Sequence, residues 1–341
     1  MRGILAAAIS CAALASSGGA SAENASFKDW TVVCDNTRAC TAYGFSPESQ
    51  ETIAYLKLER GAGAADLPRA SLSADTGASG DWRLLADGKP VAGLERVRAS
   101  AEGDAAYATA SLTTGQAAAL VQAIRNAQAL QIRDGAKSYA ISLAGGAAAL
   151  RWLDDQQKRV GTVTALVARG DKPASAVSAP PPVPLVRAAA ASSQAGLPKR
   201  LPKSLQAQFK DCDDDIAEID AEPTIARLAP GVMLWGAACS RGAYNVSYKF
   251  LLSDEQGRGV RSAIPEVEDA GEGSALINAD FDLKTMTLSA FAKGRGIADC
   301  GDASSWVWTG KVFARESSQF MPECRGVPPD DWPTAFRSRA R

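Results

Sequence analysis

The 341-residue sequence contains no histidine. That absence removes Ser-His-Asp and Cys-His catalysis, His-Glu-x-x-His zinc sites and any imidazole general base. A carboxylate pair of the glycosidase kind, a Ser-Lys dyad or an all-oxygen Ca²⁺ site needs no imidazole and stays open. Charge of one sign is also lacking: 37 basic residues face 38 acidic ones. No dense basic patch stands out along the chain, which argues against nucleic acid as a partner. A dinucleotide fingerprint is missing too, because Gly294-Arg295-Gly296 with Gly301 does not lead from a strand into a helix at the required spacing and reads as turn chemistry. Past the first 22 residues no apolar run approaches the ~20 residues of a spanning helix, so no transmembrane segment is expected. Neither a cofactor nor a metal site is implied, and no catalytic set can be named.

What is present first is an address. Residues 1–22 carry one charge, at Arg2, then an alanine-rich apolar run and small residues at Ala20 and Ala22 before Glu23. This reads as a cleavable secretory signal. Cys11 would suggest a lipoprotein, but Ala8 stands where such signals usually carry leucine. The mature chain of 319 residues then has 36 basic and 38 acidic groups. Export into an oxidising compartment favours disulfides over thiolate chemistry. Of seven cysteines, six remain after signal removal: Cys34, Cys40, Cys212, Cys239, Cys300 and Cys324. Cys34 and Cys40 bracket a polar turn between strand-like runs and predict a disulfide-closed hairpin. The late four allow three connectivities, and pairing of sequence neighbours, Cys212 with Cys239 and Cys300 with Cys324, is favoured.

Length and composition predict two domains. Residues 171–202 are rich in Pro, Ala and Ser with no apolar period and read as a tether. They divide a β-rich α+β domain with two packed helices (23–170) from a mainly antiparallel β domain (203–341), both supported by disulfides. In the first domain, strands are expected at Trp30–Cys34, Ile53–Arg60, Arg69–Ala74, Trp82–Leu94 with an Asp87-Gly88 turn, and Tyr107–Leu112. Thr113-x-x-Gln116 has the form of a capping box ahead of Ala117, Leu120, Val121 and Ile124 at helical spacing. A hairpin at Asp134-Gly135 follows, then a helix from Ala147 to about Gln157 whose face is continued by Val160, Val163, Leu166 and Val167 to Gly170. The second domain opens with a short helix near Leu205 and reads thereafter as one meander-like sheet. Its strands are Thr224–Leu228, Val232–Ala238, Tyr244–Leu252, Ala275–Phe281, Met286–Ala292 and a last long strand Trp306–Phe313. Trp306 and Trp308 share a strand face, more often core than a sugar platform.

Candidate binding residues are few. Seven carboxylates between Asp211 and Glu222, with Asp213, Asp214 and Asp215 at their head, invite a cation or a basic partner, but the spacing fits no EF-hand and a solvated run explains it. Arg325 follows Cys324, and Trp332 sits in a Pro-Pro-Asp-Asp-Trp-Pro context where it either staples the terminus or leaves an indole exposed. Asp280, Asp282, Asp299 and Asp302 are the clustered carboxylates a hydrolase would need, though turn aspartates account for them equally.

FKDWTVVCDNTRACTAYGF near the mature N-terminus, FDLKTMTLSAFAKGRGIADCGDASSWVWTGKVFA, and the ending CRGVPPDDWPTAFR together resemble the domain of unknown function 1176 family of bacterial envelope proteins. The first domain alone is weakly similar to the invasion-associated locus B proteins, through its Trp-x-Val-x-Cys opening. These resemblances imply a Gram-negative periplasmic setting but no reaction, cofactor or catalytic residues. The expectation is therefore a non-enzymatic periplasmic binding or envelope-associated protein whose partner is an envelope protein or glycan. The alternative is a carboxylate-dependent hydrolase of cell-wall glycan.

Overall fold

A computed structural model describes residues 23–101, 107–210, 212, 222–264 and 275–340. The signal region and Asp213–Asp215 lie outside the described residues. The fold is mostly β, with several antiparallel sheets, few helices and three disulfides.

The first sheet has six antiparallel strands in the order Glu23–Phe27, Trp30–Cys34, Cys40–Phe45, Ala54–Arg60, Arg69–Ala74 and Ala108–Ser111. Period-two patterning puts Trp30, Val32, Ala42, Leu56 and Leu58 on one face. There they join the largest core cluster, with Trp82, Leu84 and Ile132 of a second sheet. That second sheet is built on Gly80–Ala86, Ala129–Asp134 and Lys137–Ser142. Its Asp87-Gly88 turn has positive φ at both residues, 46° and 78°, as a tight hairpin requires. Two helices fill the same core, α1 (Thr114–Asn126) and α2 (Gly146–Gln156). Helix α1 starts with the expected capping box, and Ala117, Leu120, Val121 and Ile124 are its buried face.

Helix α2 does not continue to Gly170. Lys158 and Gly161 have positive φ, and the chain instead curls round a buried carboxylate. Asp154 accepts hydrogen bonds from the backbone N–H groups of Leu166, Val167 and Ala168 and from Arg60 at 2.7 Å. Val160 and Val163 are left exposed. A buried ion offering several acceptor sites outweighs one helical turn, because an unpaired carboxylate there would cost far more. Burial in turn lowers the Arg60 guanidinium to about 10, against the pull of Asp154.

The C-terminal half holds two sheets rather than one meander. Thr224–Ala229, Val232–Arg241 and Val246–Ser253 form the first, and Asp280–Asp282, Thr287–Lys293, Gly301–Trp308, Phe313–Met321 and Thr334–Arg337 the second. They share a core of Leu234, Phe250, Leu252, Leu288, Trp306 and Trp308. The run 275–281 breaks at Asn278, which takes φ 45°. Leu276–Ile277 pairs with Ser247 and Tyr248 in one sheet, whereas Asp280–Asp282 pairs with Thr287–Ser289 in the other. Asn278 holds the crossing by accepting from Val246 N and donating to Asn245 Oδ1 and Phe291 O. The last strand is likewise two, turning at 309–312, where Gly310 has φ 96°.

Residues 171–202 follow the protein surface. Leu185–Val186 pairs in parallel with Arg339–Ala340, and Ala189 N donates to Trp308 O. The Gln194 side chain both donates to and accepts from the backbone of Arg227, covering the edge of strand Thr224–Ala229. Leu197 and Leu201 pack on Trp235 and Met233.

Candidate functional site

The second face of the first sheet meets the C-terminal half. Tyr43, Phe45 and Tyr55 cluster with Met321, Val327 and Trp332. Trp332 is 3% exposed, and its Nε1 donates to Val327 O at 3.1 Å. Arg325 reaches back across this join: its Nη1 lies 3.2 Å from Glu48, its Nη2 donates to Ser46 O, and its guanidinium sits 5.4 Å over Phe45. Lys57 pairs with Asp331, whose carbonyl accepts from the Tyr43 hydroxyl. The Cys34–Cys40 turn contributes too, because Asn36 exchanges two hydrogen bonds with the backbone of Arg337 and Asp35 pairs with its guanidinium. Arg38 donates to the carbonyls of Ser178 and Ala179. The disulfide hairpin thus grips both the C-terminal strand and the connecting segment. The other bridges join Cys212 to Cys239 and Cys300 to Cys324.

The four late aspartates occupy different environments. Asp280 and Asp282 pair with Ser289 and Thr287, on the face opposite Leu288 and Ala290, and are exposed. The Lys284 N–H caps the Asp282 carboxylate and holds its pKa low. Asp299 is buried, but Arg295 and the Gly326 N–H outweigh that burial and keep it below the usual range. It lies beside Cys300 and Cys324, whose sulfurs are bonded to each other and offer no thiolate to a metal.

Asp302 differs. It pairs with Ala292 and Phe320 on the inner face of its sheet, so Asp302, Ser304 and Trp306 alternate along one strand toward the opposite sheet. There they line a cavity of about 170 Å³ with Ser318, Arg315 and Ile277. Ser304 Oγ lies 3.3 Å from both Asp302 oxygens and 3.1 Å from Ser318 Oγ. Burial raises the Asp302 pKa above the ordinary carboxylate value, with Ser304, Arg315 and Ser318 opposing. The cavity therefore offers a carboxyl, two hydroxyls and a guanidinium against an indole and aliphatic wall. Asp280 and Asp282 project from the other face of the sheet. Ser304, Ser318 and Arg315 were not singled out from the sequence. The alternation Asp302, Ser304, Trp306, Trp308 was its only trace.

A protein-family model for a protein of unknown function, DUF1176, matches residues 24–339, and the chain belongs to that family. The chain is similar to the uncharacterized protein YpfG of Escherichia coli (strain K12), 31% identical over 338 residues and covering 92% of each chain. Among solved structures it matches the crystal structure of invasion associated protein B from Bartonella henselae at 16% identity and a TM-score of 0.29. That match covers 40% of this chain and 99% of the other.

Proposed function

We propose that this is an exported, non-enzymatic binding protein of the Gram-negative periplasm that holds a small polar end group of an envelope glycan or protein in the Asp302 cavity. Three disulfides support an oxidising compartment. Among the described residues no helix is long and apolar enough to cross a bilayer. The observation that carries the reading is the alternation of Asp302, Ser304 and Trp306 toward one cleft, with Ser318 and Arg315 completing its polar side. Hydrogen-bonding groups against an indole suit a hydroxyl-rich ligand. The carboxylates that a two-acid hydrolysis would pair with Asp302 stand on the opposite face, Asp280 and Asp282, or in an ion pair, Asp299.

On this proposal 23–170 and 203–341 are two units joined by 171–202, with Arg325 and Trp332 at their junction, and the acidic run at Asp213–Asp215 is a candidate contact for a basic partner. Soluble peptidoglycan fragments titrated calorimetrically should bind the exported protein and bind Asp302→Ala at least tenfold more weakly. Equal affinity for both would remove the cavity as the site.

A further inference from the structure

The solvent face of the second sheet carries charge that its own side chains do not cancel. Arg83 and Arg133 stand directly opposite each other on adjacent antiparallel strands, and both are exposed. Like charges in that register are unfavourable, with Cβ atoms about 5 Å apart. Two carboxylates stand among these arginines, fewer than the guanidiniums around them. Asp81 pairs with Arg96 at 2.7 Å and Arg98 at 3.5 Å, and Glu95 accepts from the Gly93 N–H. Arg83, Arg96 and Arg133 line a groove of about 540 Å³ together with Asp81, Glu95 and Leu85. This concentration of positive charge occurs in a chain whose net charge is −1.

We propose that this groove binds a small phosphate-bearing ligand, a phosphate ester or diphosphate, between Arg83 and Arg133. Two adjacent uncompensated guanidiniums call for about two negative charges. A phosphate group brings roughly 1.5 to 2 at neutral pH, where a carboxylate brings one. Planar guanidiniums side by side also present the paired donors that phosphate oxygens accept. Arg96 and Arg98 share the single carboxylate of Asp81; with Glu95 counted, four guanidiniums face two carboxylates and about two positive charges stay uncancelled.

Inorganic pyrophosphate titrated into the full exported protein should bind saturably, weaken as salt is raised, and bind the Arg83→Gln/Arg133→Gln double variant at least tenfold more weakly. Arg241→Gln, at an exposed arginine on strand Val232–Arg241 outside the groove, should change affinity less than threefold. Because the double variant removes a like-charge pair, its melting temperature should equal or exceed that of the parent; if it fails to fold, Arg133→Gln alone carries the comparison. No saturable binding, or binding retained in the variants, overturns the proposal. Sedimentation with phosphatidylglycerol vesicles through the same arginines, without pyrophosphate binding, overturns it in favour of a lipid surface.

Discussion

At Gly44 an added Cβ would lie 2.5 Å from the Trp30 indole, which spans the strand there to donate to Ser142 O at 2.9 Å. Gly44→Ala should therefore overpack the core and cost about 1–3 kcal/mol, read as a lowered urea midpoint; an unchanged midpoint would show that the indole has room to move. Asp302 and Asp299 should respond to pH in opposite directions. Burial raises the folded pKa of Asp302, so the native state holds that proton more tightly than the unfolded chain at about 3.9. The associated stability is present below the unfolded value and is lost as pH rises through the folded one. Asp302→Asn should thus be more stable than the parent at pH 7 and lose that advantage in acid. Asp299, held low by Arg295 and Gly326, contributes stability above the unfolded pKa that is lost as pH falls through its folded value. Asp299→Asn should be destabilised at pH 7 and converge on the parent in acid. Melting curves from pH 3 to 7 check both, and parallel curves would contradict the assignment.

Among the elements, the connecting segment behaves as an edge cover for the sheet of strand Thr224–Ala229. Gln194→Ala should free the Arg227 amide, which donates to Gln194 Oε1 at 2.9 Å, and speed its hydrogen exchange at least tenfold; unchanged protection would mean the cover is incidental. That pairing was not legible in a Pro/Ala-rich stretch without apolar period, because a single side-chain amide performs it. Helix α1 was legible from Thr113 and Gln116, since its cap and its apolar stripe depend on near neighbours only. The end of α2 was not, because what stops it is the long-range demand of Asp154 and Arg60 for partners. In 306–313 the apolar residues read as one strand, and Gly310 was the signal of a turn. The arginine groove was hidden for a different reason: Arg83, the neighbours Arg96 and Arg98, and Arg133 are far apart in the chain, and only strand register gathers them.

On the scale of the whole molecule, Trp332 and the Cys34–Cys40 turn join the two halves, and the sequence showed both residues without showing what they touch. Trp332→Ala should lose about 3–5 kcal/mol. Cleavage between Asp171 and Pro202 should give two fragments that co-elute under native conditions in the parent and separate in Trp332→Ala. Fragments that part in the parent would show the join to be weak. The claim that matters most is binding without turnover. Prolonged incubation of the exported protein with soluble peptidoglycan fragments, followed by mass spectrometry, measures it directly: the fragments should be recovered intact. Shortened fragments, formed by the parent and not by Asp302→Asn, would contradict the account and establish a hydrolase.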